Sequence, residues 1–337
     1  MIKSSINKFC HAIGDNRLLV QGAGGNISWK EKNIMWIKAS GTWLAEALEK
    51  EIFVPVKLDS IIKSISDSDF NIIPTATNGY ELKPSIETLM HAVIKKKIVL
   101  HLHAVEILSH LVRKKDNISD IFKNIDDINF IKIPYKKPGS KIANEIILKL
   151  KKNPDANVLF LKNHGVVIAS DDLDSLNKIL DIIIKKMKND LIILDDKKIK
   201  KIKKIKINSK DIYYPIKDKQ LNHLVLDDNL YNRLINDWCL YPDHIVFLGQ
   251  TSFCYNDKDH FIREINKTNF LPEIIFIKNL GVFYLNNLSQ AKLSQLRCYF
   301  DVLVRQKPNH KLRSLNSNEI FEIVDWDAED YRIKLSK

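Results

Sequence analysis

The sequence predicts an α/β fold of layered type, and three observations lead there. Short apolar runs at 33–38, 97–103 and 157–161 have the length and composition of strands. The stretches 87–94 and 174–188 carry apolar residues at helical spacing. The two kinds of segment alternate along the chain, the pattern of a sheet covered by helices. In the later helix Leu173, Leu176, Leu180, Ile183, Ile184 and Met187 form one apolar stripe, which is core packing.

A chain of 337 residues with 45% hydrophobic content has enough apolar material for one large domain or two moderate ones. No apolar run reaches the length of a membrane span, and the amino terminus lacks a basic-then-apolar leader, so the expectation is a cytoplasmic protein with no membrane partner. Cys10, Cys239, Cys254 and Cys298 are scattered with no Cys-x-x-Cys pair, which argues against a thiolate metal site and for reduced, mostly buried thiols. The net charge of +12 reads as a solvated lysine-rich surface. The basic stretch Lys197 to Lys206 interleaves lysine with isoleucine and offers no aromatic for base stacking, so no nucleic-acid partner is expected.

The run 195–210 is low in complexity and strongly basic, with Ile199, Ile202 and Ile205 three apart. Three isoleucines bury too little area to anchor a helix on a membrane, and the run reads as a connector at the main boundary. Beyond it, 216–337 reads as a smaller α/β segment with strand-like runs at 245–248 and 274–278. An internal echo links the two parts. Phe160-Leu-Lys-Asn-His-Gly-Val166 and Phe276-Ile-Lys-Asn-Leu-Gly-Val282 share five residues in register, with Leu280 where His164 stands. A degenerate partial repeat and a strand-to-turn solution used twice both account for it.

Chemistry concentrates in the first part. His101 and His103 alternate on a strand, so both imidazoles face one side and can grip one divalent ion. His164, in a turn after another strand, makes a third ligand and leaves a coordination position open, the layout of a catalytic metal site. Glu87 follows Pro84-Ser85 at a helix start, where the helix dipole favours its charged form, with His91 on the same face as a packing or supporting group. The loop Gly22-Ala-Gly-Gly-Asn-Ile-Ser28, after an apolar strand at 18–21, suits either a phosphate cradle or a tight turn. The small-residue turn Ala39-Ser-Gly-Thr42 has the same two readings.

Taken in order, Gly-Gly-Asn-Ile-Ser, Lys-Ala-Ser-Gly-Thr, Ser-x-Glu-x-x-x-His, His-x-His and Asn-His-Gly make the chain resemble the class II aldolase/adducin family over about residues 8–190. Within it the chain is similar to the aldolase portion of bifunctional rhamnulose-phosphate aldolase/dehydrogenases. That similarity extends to Ile133-Pro-Tyr-Lys-Lys-Pro-Gly139, the Tyr-Pro-Asp-His244 region and Trp326-Asp-Ala-Glu-Asp-Tyr331, with no nicotinamide-binding unit after 216. The resemblance implies a layered α/β fold whose central mixed, mainly antiparallel sheet is covered by helices. It also implies a metal-dependent catalytic domain over 1–210 and a symmetric homo-oligomer.

It further implies Zn2+ on His101, His103 and His164, Glu87 as acid/base carboxylate, and phosphate contacts from Ala23, Asn26, Ser40, Gly41 and Ser85. Position 86, often a hydroxyl residue in phosphate-binding members, is Ile86. Some members add a tyrosine from a neighbouring subunit shortly after His-x-His. Residues 111–124 hold none; Tyr135 is the candidate substitute, and the group that protonates the aldehyde oxygen is left unassigned. The implied reaction is carbon-carbon cleavage or formation in a ketose phosphate through an enediolate, releasing dihydroxyacetone phosphate. Epimerisation or decarboxylation by the same enolate chemistry, and a non-catalytic adducin-like scaffold, are the alternatives.

Overall fold

Strands β1 (Asn26–Glu31), β2 (Ile34–Lys38), β3 (Phe53–Lys57), β4 (Ile98–Leu102), β5 (Phe130–Ile133), β6 (Val158–Leu161) and β7 (Gly165–Ser170) form one sheet in the order β3-β2-β1-β4-β7-β6-β5. All its pairings are antiparallel except β5 with β6, so the sheet is mixed and mainly antiparallel. The computed structural model describes residues 2–324 other than 68, 70, 71, 73, 78 and 197–202.

Alternation along the central strands loads both faces with apolar side chains. Ile98, Leu100 and Leu102 of β4 join Phe160, Val166 and Ile168 on one face, under the helices Ile2–Gly14 and Leu173–Lys186. Val99 joins Leu159, Leu161 and Val167 on the other, under the helices Thr88–Val93 and Ser140–Lys152. A strand covered on both sides reads as a continuous apolar run, which is why β4 and β6 stand out in the sequence. The same period of two puts His101 on the face of Val99.

A second sheet contains β8 (Ile205–Lys206), β9 (Ile212–Pro215), β10 (Cys254–Tyr255), β11 (Ile274–Ile277) and β12 (Gly281–Leu285), in the order β10-β11-β12-β9-β8. Only β10 and β11 are parallel. Order and sense match β5-β6-β7-β4-β1, and a helix lies between β10 and β11 as between β5 and β6. The heptapeptide echo falls on the matching turns, where Asn163 (φ 52°) and Asn279 (φ 58°) both adopt the left-handed conformation. Gly165 faces Leu161 and Val167 faces His101; Gly281 faces Ile277 and Phe283 faces Pro215. The positions of His101, His103 and His164 therefore correspond to Pro215, Lys217 and Leu280, none of them a histidine.

The helix Val105–Leu111 joins the halves. It is buried along its whole length: Ile107 and Leu111 pack into the first core, Val105 and Leu108 into a second with Leu224, Leu296 and Leu303. Its buried Glu106 carboxylate accepts from Arg305 at 2.8 Å and from the Asn189 side chain at 3.0 Å. A buried charge is tolerable only when paired in this way.

Two expected strands are corrected. The run 245–248 is the end of a helix, Pro242–Leu248, because Pro242 supplies the fixed φ of a first helical turn and Gly249 (φ 79°) stops the chain after the last. A four-residue apolar run carries too little periodicity to tell helix from strand. The run 18–21 is a turn: the Leu19 and Val20 amides donate back to the Asn16 carbonyl. Of the basic run, 205–206 pair as the edge strand β8, whereas Ile199 and Ile202 lie outside the described residues, as does Trp326 to Tyr331.

His244, fully buried against Trp238 and Tyr299 with ring centroids at 4.2 and 4.7 Å, gives a pH signature. Burial pushes its pKa down from 6.5 to about 3. Over that window the unfolded chain binds a proton the folded chain refuses, so stability is present above the unfolded pKa and falls with pH at about 1.4 kcal/mol per unit for this group. Denaturant unfolding at a series of pH values should show His244→Phe losing stability less steeply than the parent between pH 6.5 and about 4.

Candidate metal centre and active site

β4 delivers His101 and, one residue past its end, His103; the turn between β6 and β7 delivers His164. Their ring centroids lie 4.8 to 5.2 Å apart, and one nitrogen from each falls within 4.8 Å of the others. All three rings are buried. The third can reach the others because Gly165 follows it: a Cβ there would stand 2.3 Å from the Leu102 carbonyl oxygen and 3.1 Å from both neighbouring rings. The glycine of Asn-His-Gly is required by that approach.

The partners of the rings set their tautomers. The His101 Nδ1 lies 3.0 Å from the Val166 carbonyl oxygen, which can only accept, so Nδ1 carries the proton and Nε2 is bare. The His103 Nδ1 lies 3.1 Å from an Asp243 carboxylate oxygen, with the same result. The two Nε2 atoms then face each other at 3.0 Å. The Glu87 carboxylate stands 3.5 Å from the His101 Nε2 and 3.3 Å from the His164 Nε2. Two lone pairs and a carboxylate converging in a buried space repel one another unless a cation stands among them, so the donor set fits a divalent metal. Burial lowers the pKa of His101 to about 4 and of His164 to about 3, keeping both imidazoles neutral and able to ligate.

Glu87 immediately precedes the helix Thr88–Val93 rather than lying inside its first turn. Burial would raise its pKa, but the adjoining His101, His164 and His103 and the Asn26 amide, which donates at 2.7 Å, outweigh burial and bring it down to about 2. His91 faces away, its Nδ1 2.8 Å from the Ser28 hydroxyl.

Glu87, His103 and His164 line a pocket whose other walls include Ala23, Asn26, Ser40, Gly41 and Ser85. The glycine-rich loop, the Ser-Gly turn and the Ser85 turn thus meet at one cavity, an arrangement of small residues and hydroxyl or amide donors suited to an anion. Ile86 shares the wall and contributes no donor. Tyr135 does not line this pocket. It packs into the second core with the Arg313 guanidinium 5.5 Å over its ring, and burial raises its pKa. Within one chain the ring stands at the interface between the halves rather than at the pocket wall.

Two pocket residues escape sequence reasoning. Lys38, at the end of β2, is buried and donates to the Thr42 and Ala23 carbonyls at 2.7 and 3.2 Å, bringing a cation to the anion end. It directly precedes Ala39-Ser-Gly-Thr42, and that adjacency was the available signal. Asp243 arrives from the second half; it lies in the Tyr-Pro-Asp-His244 stretch, which the sequence marked by resemblance but not as part of the site.

Three convergent imidazoles with an adjacent carboxylate at the wall of a pocket make the donor set of a metal-dependent enzyme, the class this site suits. The family described as the class II aldolase and adducin N-terminal domain matches residues 5–184, over half of the chain, and the chain belongs to that family. YuxG of Bacillus subtilis, named an uncharacterized oxidoreductase, is 32% identical over 171 residues, 46% of this chain and 24% of that protein. The match thus spans about a quarter of that relative. L-fuculose phosphate aldolase of Methanococcus maripaludis is 30% identical over 176 residues, 50% of this chain and 84% of that enzyme. The N-terminal class II aldolase domain of a conserved protein from Thermoplasma acidophilum aligns at 24% identity with a TM-score of 0.45, covering 54% of this chain and 90% of that one. No helix among the described residues is long and apolar enough to cross a membrane.

Proposed function

We propose that the protein is a zinc-dependent aldolase that cleaves or forms a carbon-carbon bond in a ketose phosphate, with dihydroxyacetone phosphate as the released fragment. One observation carries this reading: His103 and His164 of the three-histidine cluster, together with Glu87, border the same cavity as Asn26, Lys38, Ser40 and Ser85. The relatives named L-fuculose phosphate aldolase support the substrate class. His101, His103 and His164 hold the ion, which when bound supplies Lewis-acid stabilisation for the negative charge that develops on the substrate's oxygens.

The chain's own residues do the rest. Lys38, with the donors of the small-residue turns, binds the phosphate and fixes the substrate's far end. Glu87, held anionic and 3.3 to 3.5 Å from the two imidazoles, takes a proton from the carbon that will form the new bond, or returns it after cleavage. Burial of Glu87 and the three rings keeps water from the carbanionic carbon.

Solvent exchange tests the reaction class. Incubated with zinc and dihydroxyacetone phosphate in heavy water, with no aldehyde present, the protein is expected to exchange one C-H of that substrate for deuterium. Absence of exchange in zinc-loaded protein would remove the aldolase reading in favour of epimerisation or decarboxylation.

A further inference from the structure

We infer that Asp243 is the positioning carboxylate of the metal centre, so that the second half of the chain completes the site carried by the first; the inference rests on the metal reading above. Asp243 lies in the second half, between β9 and β10, in a segment that has no histidine where the first half has its three. One of its carboxylate oxygens is 3.1 Å from the His103 Nδ1 and accepts from the Gln295 side-chain amide at 3.3 Å; the residue is 2% exposed.

Three features surround this contact. Gly24 stands beside it: a Cβ there would lie 3.0 Å from the Asp243 carboxylate and 3.2 Å from the His103 Nδ1. The glycine-rich loop therefore clears space for the pair as well as bordering the pocket. Cys239, four residues before Asp243, takes the left-handed conformation at φ 58°, a strained choice for a side chain that is neither glycine nor asparagine. The segment is also tied to the histidine turn, since the Asn163 side chain donates to the Leu240 carbonyl at 2.8 Å, one residue before His164.

The chemistry follows from where the proton must go. A carboxylate at Nδ1 keeps the proton on that nitrogen, leaves the Nε2 lone pair free toward His101 and His164, and makes the ring a stronger donor. His101 receives its orientation from a backbone carbonyl, a neutral acceptor. His103 receives it from an ion, and loss of such a partner typically lowers metal affinity about 10- to 100-fold.

The test uses the full chain, with cobalt(II) as a coloured reporter of coordination and zinc affinity measured by chelator competition. Asp243→Asn keeps the shape and an acceptor oxygen while removing the charge. It is expected to weaken zinc and cobalt binding about 10- to 100-fold, to alter the visible cobalt spectrum, and to leave the unfolding temperature of the metal-free protein unchanged. Asp243→Glu is expected to recover part of the affinity. Parent-like affinity and an unchanged spectrum in Asp243→Asn would overturn the inference while leaving the metal centre standing. A parent protein that takes up neither ion would end the metal reading itself, and this inference with it.

Discussion

His164→Ala is expected to leave the folded protein without bound metal and without measurable turnover. The side chain projects from a turn between β6 and β7, so both strands keep their ladders when it is cut back. What disappears is one of three donors and the nitrogen 3.3 Å from Glu87. Two imidazoles alone are one donor short of the three protein ligands such an ion takes, and Glu87, if drawn in to fill the place, would no longer be free to move a proton. Elemental analysis of purified protein should find about one equivalent of metal per chain in the parent and background in the variant. Thermal unfolding supplies a second reading. A ligand that binds only the folded state raises the melting temperature with its concentration, so added zinc should raise that of the parent and leave His164→Ala unmoved. His101→Ala is expected to behave alike. Equimolar metal in His164→Ala would remove the three-histidine centre from the molecule.

How much of this was legible in the chain depends on how local each arrangement is. His101 and His103 could be read because a strand's period of two fixes their common face, and the strand announced itself by being apolar on both sides. The Asn-His-Gly turn was legible because its glycine and left-handed asparagine are local conformational requirements. The gathering of Gly24-Gly-Asn26, Ser40-Gly41 and Ser85 at one cavity followed from the order of motifs and their resemblance to a family, since no single loop identified itself. Contacts decided by the packing of distant segments were not legible. Asp243 reaches His103 only because the helix Val105–Leu111 holds two sheets together around a buried Glu106-Arg305 pair. Tyr135 was assigned to chemistry for the converse reason: its place in the interface under Arg313 depends on a part of the chain whose position the sequence does not display. The seven-residue echo could suggest a repeat, but only strand order and register relate Pro215 and Lys217 to His101 and His103.

Glu87→Gln is expected to separate holding the metal from moving the proton. Glutamine keeps the length and an acceptor oxygen for the Asn26 amide, which donates to the native carboxylate at 2.7 Å, so the loop Gly22 to Ser28 has no reason to shift. The three imidazoles, oriented by Val166 and Asp243 and by the turn that carries His164, still converge. Metal content should therefore stay at the parental level. An amide is not a base at all, whereas Glu87 remains one even with its pKa lowered, and a positioned general base typically accounts for about 10²- to 10⁴-fold in rate. The loss should fall on kcat, with KM little changed, because the proposed phosphate contacts are those of Lys38 and the small-residue turns rather than of Glu87. It should fall equally on deuterium exchange into dihydroxyacetone phosphate, the step that needs only the base. If turnover drops but exchange survives, the proton passes through another group and Glu87 serves the departing or arriving aldehyde instead. If metal and turnover are lost together, the carboxylate acts as a fourth ligand, a role its distances of 3.3 and 3.5 Å to the imidazole nitrogens would then have foreshadowed.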